Sequence, residues 1–155
     1  MSKKGKTKTR AIDEKDRKIL EILIQNARTS YTEIAKQIGL SDVAVIKRIK
    51  KLEELGIIKR YTIIVDPAKL GYKLVALVGI DTEPEFIFKI ISELKKIESV
   101  RYIALTSGDH NIMVVVWAKD REELGEIHNK IMSMDGVKRV CPSIILEKFY
   151  GGICL

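Results

Sequence analysis

The segment over residues 41–55 carries the side chains with the clearest chemistry in the sequence. Val45, Ile49 and Leu52 recur at helical spacing and should face a core. The remaining surface is basic, and basic side chains bind phosphates while residues in the first turns of a helix contact base edges in the major groove. We therefore predict DNA contacts from one set of residues: Ser41, Asp42, Ala44, Lys47, Arg48 and Lys51.

This segment is the third of three helices predicted within residues 11–57. Apolar periodicity begins after Asp13, and a short second helix begins near Tyr31. Gly39 supplies a turn, and Ser41 suits the N-cap of the third helix. A short helix, a turn and a longer basic helix are typical of a helix-turn-helix. The alternative is a plain three-helix bundle with a solvated basic face.

Charge is divided unequally along the chain. Residues 1–60 hold 16 Lys and Arg against 8 Asp and Glu, a net charge of +8, whereas residues 61–155 have a net charge of −1. Residues 1–10 contain five basic residues and no acid, which predicts a disordered basic arm. A Lys-rich surface, as in thermophile proteins, would explain many charges of both signs but not their segregation. The asymmetry favours a polyanion-binding module joined to a nearly neutral domain.

The composition excludes several classes of protein. With 46% hydrophobic and 32% charged residues, the chain of 155 residues is globular. Its longest apolar runs, residues 74–80 and 112–118, are far shorter than the roughly 18 residues of a membrane-spanning helix. No apolar stretch follows the basic N-terminus, so we expect no secretory signal. Cys141 and Cys154 form neither a metal-ligand spacing nor a disulfide framework. We expect a cytoplasmic protein without a membrane partner, cofactor or metal.

The second half of the chain predicts a different architecture. Residues 58–66 are rich in Ile, Tyr, Thr and Val and end before Pro67, which predicts a strand within a linker over residues 58–71. From residue 72 the order is strand, helix, strand, strand, helix, strand, the split βαβ pattern of ferredoxin-like domains. The sequence thus predicts an α+β protein in four parts: a basic arm (1–10), a helix-turn-helix domain (11–57), a β-strand linker (58–71) and a ferredoxin-like βαββαβ domain (72–155).

Two predicted strands of this domain are apolar on both faces. In this fold the helices cover one face of the sheet, so residues 74–78 and 112–117 should alternate between apolar and polar, but they do not. A second copy of the same sheet is the simplest cover for the other face. Pro142 fits an edge strand, because it lacks a backbone donor. We therefore predict a homodimer, which would present paired helix-turn-helix units to a palindromic site.

Short motifs follow one another along the chain at residues 12–20 (IDEKDRKIL), 27–30 (ARTS), 33–36 (EIAK), 39–41 (GLS), 48–53 (RIKKLE), 56–58 (GII), 61–62 (YT) and 66–71 (DPAKLG). In this register they resemble the Lrp/AsnC (feast/famine) transcription regulators of archaeal type. The similarity covers nearly the whole chain apart from the first ten residues and the last few.

The resemblance implies a sequence-specific, DNA-binding transcriptional regulator. It implies a homodimer and a higher oligomer such as an octamer, with the linker strand pairing with the partner subunit. It also implies that an amino acid or related metabolite binds at the polar hairpin, through Ser107, Gly108, Asp109 and Asn111. Asn111 stands where many amino-acid-binding members have an acid, which leaves Asp109 as the acid of this loop. From the residue types alone, this hairpin also has the composition of an ordinary turn without a ligand.

Three alternatives compete with this interpretation. A metal-dependent or acid/base enzyme would use Asp109, His110 and His128, but their spacing matches no metal motif. A stand-alone metabolite sensor would use the basic module for RNA or only for stability. An architectural nucleic-acid-binding protein would bind duplex DNA without sequence preference.

Overall fold

A computed structural model describes residues 12–149 of the chain. Contacts divide the chain into two compact units at the boundary between Thr62 and Ile63. This boundary falls inside the segment 58–71, which the sequence predicts as a linker. No helix within residues 12–149 is long and apolar enough to cross a membrane.

The described part of the first unit, residues 12–62, contains three helices with well-defined ends. They are α1 (Glu14–Gln25), α2 (Tyr31–Ile38) and α3 (Asp42–Glu54). Each helix begins at a side chain that accepts a hydrogen bond from a backbone N–H of its own first turn: Asp13, Ser30 and Ser41 respectively. Gly39 ends α2 with φ of 65°, a left-handed conformation that glycine adopts without a steric penalty. The predicted turn at Gly39 and N-cap at Ser41 are confirmed.

The core of this unit is small and aliphatic. Six buried side chains form it, one from α1, two from α2 and three from α3: Ile19, Ile34, Ala35, Val45, Ile49 and Leu52. The three residues of α3 lie on one side of the helix, as their helical spacing predicts. The opposite side of α3 therefore faces away from the core.

The second unit is a βαββαβ domain, which confirms the predicted ferredoxin-like architecture. Its strands are β1 (Leu74–Thr82), β2 (Val100–Leu105), β3 (Ile112–Ala118) and β4 (Val137–Ile144), in the order β2-β3-β1-β4. All neighbouring pairs are antiparallel. The helices are α4 (Ile87–Leu94) and α5 (Arg121–Met132), and short 3₁₀ turns cover Ala68–Leu70 and Pro84–Phe86. The second 3₁₀ turn leads directly into α4.

One face of the sheet carries the core of this domain. Alternate residues of β1 and β3 are buried with residues of α4 and α5, among them Val78, Val114, Ile90 and Ile127. β4 is an edge strand, as Pro142 predicts, and Pro142 lies opposite Val78.

Residues of the same chain cover part of the second face. Trp117 and Val115 lie on this face yet are 8% and 2% exposed. The guanidinium carbon of Arg101 lies 5.0 Å from the Trp117 ring centroid and 5.3 Å from that of Tyr72. Leu77, between them and β4, is 39% exposed. In a single chain, therefore, only some of the apolar side chains on this second face are exposed to solvent.

The predicted linker strand has no partner within the described part of the single chain, and its pairing with a partner subunit stays a prediction. Residues 58–66 have neither helix nor strand assignment. A strand is defined by hydrogen bonds to a neighbour, and no strand within residues 12–149 pairs with this segment. Its Ile, Tyr, Thr and Val content records a preference for extended backbone, which is not sufficient for a ladder.

Candidate nucleic-acid interface and effector loop

The outward face of α3 is the candidate nucleic-acid interface. Val43, Lys47 and Lys50 are exposed and lie opposite the buried stripe of Val45 and Ile49. The face is thus an apolar residue in the first helical turn followed by two lysines. Among these three, sequence analysis predicted only Lys47. The signal for Val43 and Lys50 was present, because both lie opposite the buried positions of the helix.

Several of the predicted contact residues border this face. The Ser41 hydroxyl oxygen accepts a hydrogen bond from the Ala44 backbone N–H at 3.3 Å. Asp42 accepts one from the Thr32 hydroxyl at 2.5 Å, which ties the start of α3 to α2. Ala44 and Lys51 are half-buried, and Lys47 is exposed.

Arg48, a predicted DNA contact, lies beside the outward face and turns its side chain toward α1. Its guanidinium donates hydrogen bonds of 2.7 Å to both Asp13 and Asp16 at the start of α1. Asp16 is only 2% exposed. On the helical wheel Arg48 flanks the buried stripe between Val45 and Ile49, so its long side chain reaches across to α1. Two acids at the start of α1 were the sequence signal for this pairing.

Electrostatics support a structural role for Arg48. The backbone N–H of Asp16 and then the Arg48 guanidinium lower the pKa of the Asp13 carboxyl. The two carboxylates hold the pKa of Arg48 above its ordinary value. Arg48 therefore acts as a brace between α1 and α3, and its charge is largely neutralised by two acids.

The polar hairpin between β2 and β3 is the candidate effector loop. Ser107, Gly108 and Asp109 are exposed at its tip. Gly108 has φ of 152°, which residues with side chains rarely adopt. The backbone N–H of Thr106 donates to the Asn111 carbonyl at 2.8 Å and closes the hairpin. The structure thus presents three of the four predicted effector residues at an accessible turn.

Asn111 differs from the other three. Its side-chain oxygen accepts a hydrogen bond of 2.9 Å from the backbone N–H of Thr82 at the end of β1. This acceptor is therefore already used to hold the hairpin to β1. Asn111 therefore supports the loop structurally, and its contact with an effector stays a prediction.

Sequence analysis missed a charged cluster beside this loop. The Nδ1 atom of His110 lies 2.8 Å from Asp81, and the other oxygen of Asp81 accepts a hydrogen bond from Arg139 at 2.6 Å. The His110 hydrogen bond and then Arg139 lower the pKa of Asp81 against the opposing effect of burial. The three residues come from β1, β4 and the hairpin, so no local spacing could show their proximity.

Gly79 makes room for this cluster. A Cβ atom at Gly79 would lie 2.1 Å from Cδ2 of the His110 ring. The imidazole therefore rests directly on the backbone of β1. His128, the other histidine, is half-buried on α5, with Nδ1 3.3 Å from the Asn129 side chain. Within residues 12–149 no group of three or more His, Cys, Asp or Glu side chains could hold a metal ion.

A basic helix-turn-helix joined to a ferredoxin-like domain defines a class of two-domain, DNA-binding transcriptional regulators. Residues 12–53 match the AsnC-type helix-turn-helix domain, and residues 75–152 match the Lrp/AsnC ligand binding domain. The chain belongs to the Lrp/AsnC family of transcriptional regulators, as its sequence motifs predict.

Named relatives agree with this assignment. The HTH-type transcriptional regulator LrpA of Pyrococcus horikoshii is 57% identical over 138 residues, which cover 88% of this chain and 98% of that protein. The HTH-type transcriptional regulator LysM of Sulfurisphaera tokodaii is 39% identical, over 90% of this chain and 98% of that protein. The structure of Escherichia coli AsnC superimposes with a TM-score of 0.80 at 32% identity, over 89% of this chain and 94% of that chain. The chain described here thus has the architecture and the DNA-binding domain of an archaeal-type regulator.

Proposed function

We propose that this regulator binds duplex DNA by placing the outward face of α3 in the major groove. One observation carries the proposal: Val43, Lys47 and Lys50 point away from the domain core along one helix. Lysines on such a face contact phosphates, and residues near the helix start reach base edges. Ser41, Asp42, Ala44 and Lys51 border the same face, whereas Arg48 supports it from behind.

Fluorescence anisotropy on the duplex upstream of the regulator's own gene, and on a shuffled duplex, tests the proposal across a salt series. We expect tighter binding to the upstream duplex and a steep loss of affinity with salt on both. Lys47→Ala and Lys50→Ala should each weaken binding and lower the salt slope by about 1. Lys130→Ala, an exposed lysine of α5, is the matched control and should bind as the wild type does.

The outcomes separate the competing functions. Unchanged affinity in both α3 variants would overturn the placement of α3. Equal affinity for the two duplexes would indicate an architectural protein or a target elsewhere, and preference for single-stranded RNA would favour the metabolite-sensor alternative.

The functional unit that we propose is a homodimer or a higher oligomer such as an octamer. An apolar groove of about 250 Å³ supports this, since it lies on the second face of the sheet beside Val75 and Trp117. Residues 64–68 and 145–148 form its walls. A second copy of the sheet would cover both the groove and Leu77, and would bring two recognition helices to one duplex.

We also propose that an amino acid or related small metabolite modulates DNA binding at the effector loop. Backbone groups around Gly108 suit a carboxylate, and the exposed Asp109 suits an ammonium group. Titration calorimetry with representative acidic, basic, polar and apolar amino acids tests this. Binding that is lost in Asp109→Ala and kept in Glu126→Ala, an exposed acid of α5, is the expected result. Absence of heat with every amino acid would remove them as effectors.

We infer that the regulator acts in the cytoplasm, and that it acts by binding rather than by catalysis.

A further inference from the structure

We propose that Val43 reads the C5-methyl group of a thymine in the target duplex. The inference rests on the proposed placement of α3 in the major groove and deepens it by naming what the first helical turn recognises. It assigns base recognition by this turn chiefly to apolar contact rather than to hydrogen bonds.

Val43 is the second residue of α3, and its side chain is 73% exposed. Single exposed apolar residues are common on protein surfaces, so exposure by itself decides nothing. Its position matters more, because residues at the start of a recognition helix are those that approach base edges.

The polar neighbours of Val43 have other partners within the domain. Ser41 caps α3 through the Ala44 backbone N–H, and Asp42 is bound by the Thr32 hydroxyl. A carboxylate is also repelled by the phosphates of DNA. Arg48, one and a half turns further on, is bound by two acids of α1. The polar side chains Ser41, Asp42 and Arg48 are therefore already engaged within the domain.

An outward aliphatic side chain remains at the start of the helix. The thymine methyl is the apolar group that base pairs present at the edge of the major groove. Lys47 and Lys50 follow Val43 along the same face and would hold the helix to the backbone without reading sequence. Val43 is thus the side chain best placed to make the recognition of one base pair depend on a methyl group.

Uracil substitution tests the assignment, because uracil lacks only the C5-methyl group of thymine and keeps its base pairing. The full chain is first used to select its best duplex from a random pool. Each thymine of that duplex is then replaced by uracil in turn, and anisotropy gives the affinity for the wild type and for Val43→Ala. Circular dichroism confirms that the variant is folded, as expected for an exposed position.

We expect one uracil position per half-site to weaken wild-type binding about fourfold, the effect of losing one buried methyl group. At that position Val43→Ala should bind thymine and uracil duplexes equally. Ile24→Ala, which removes a side chain 83% exposed on α1, should keep the wild-type uracil profile.

Three results would overturn the inference. They are a uracil profile with no weakened position, a profile that Val43→Ala leaves unchanged, and a methyl dependence lost instead in Ile46→Ala, whose side chain is 44% exposed one turn along α3. In each, selection of a specific duplex would leave the proposed function standing. Failure to enrich any duplex would overturn the proposed function and this inference together.

Discussion

At the scale of single residues, Arg48 shows that a basic side chain on a recognition helix can have a structural contact. A basic residue on a recognition helix is a natural candidate for a DNA contact, yet here it binds Asp13 and the buried Asp16. Removal of Arg48 would leave the buried carboxylate of Asp16 without its cation. The loss of stability from such an unpaired buried charge exceeds the stability that the intact ion pair contributes.

Arg48→Ala should therefore act on stability. We expect a loss of about 2 kcal/mol in the free energy of unfolding, the range for hydrogen bonds to charged groups. Urea unfolding followed by helical circular dichroism measures it. Lys47→Ala, exposed on the same helix, is the control and should change stability by less than about 0.5 kcal/mol. Wild-type stability in Arg48→Ala would contradict the brace.

Asp13 makes the same contact sensitive to acid. Its pKa is lowered in the folded state by the Asp16 backbone N–H and by Arg48, so the unfolded state binds protons first as the pH falls. The contribution of Asp13 to the free energy of unfolding is complete above about pH 3.8, the ordinary pKa of an aspartate. It is lost as the pH falls through the lowered pKa of the folded state.

Asp13→Asn keeps a capping side chain but cannot titrate. We expect it to melt below the wild type at neutral pH, and the difference in melting temperature to shrink in strong acid. A difference that is constant with pH would show that Asp13 does not contribute in this way.

At the scale of elements, β1 and the effector hairpin are joined by side-chain contacts. The His110 ring rests on Gly79 and bonds Asp81, and Asn111 holds the backbone of Thr82. The tip of the hairpin is thus exposed while its C-terminal arm is fixed to the sheet.

Gly79→Ala should disrupt this arrangement, because its methyl group would overlap the imidazole. We expect a loss of about 1–3 kcal/mol in the free energy of unfolding, as for overpacked cores. His110→Ala in the same chain should recover part of it, since the ring is then absent. Additive losses in the double variant would contradict the contact.

Gly125→Ala is the matched contrast. Gly125 is exposed within α5, and a Cβ atom there would meet nothing within 4 Å. The same substitution should therefore stabilise by about 0.5–1 kcal/mol, because alanine favours the helix. Denaturant unfolding of both variants shows whether the opposite signs hold.

Periodicity predicted most of these elements, and pairing between distant residues explains what it missed. The buried stripe of α3, the cap at Ser41 and the βαββαβ order follow from local patterns of apolar and capping residues. The Arg48 brace and the Asp81 cluster involve residues about 30 or more positions apart, which no local pattern reports. The linker strand is a related case, because the strand that should pair with it belongs to another subunit.

At the scale of the whole molecule, self-association through the second sheet face has a direct test. Leu77→Glu places a charge at the centre of the face that a second copy would cover, while the side chain is accessible enough in one copy to tolerate it. Light scattering should give the wild type at least twice the chain mass of 17.6 kDa and shift the variant toward that mass.

The control for this experiment is Phe88→Glu, at a side chain 77% exposed on α4, away from the sheet. It should leave the dimer intact. A monomeric wild type at micromolar concentration would overturn the proposed homodimer.

Pro142 affects whether a strand of another molecule can pair with the exposed edge of β4. The Ile145 N–H donates to Val75 at 2.8 Å, so alternate residues of this edge turn their N–H groups toward β1 and Pro142 belongs to the set that faces outward. Its missing donor costs the sheet nothing, but it interrupts the row of groups that another strand would need. The edge is therefore a poor template for end-to-end growth, and we expect concentrated protein to resist forming fibrils through this strand.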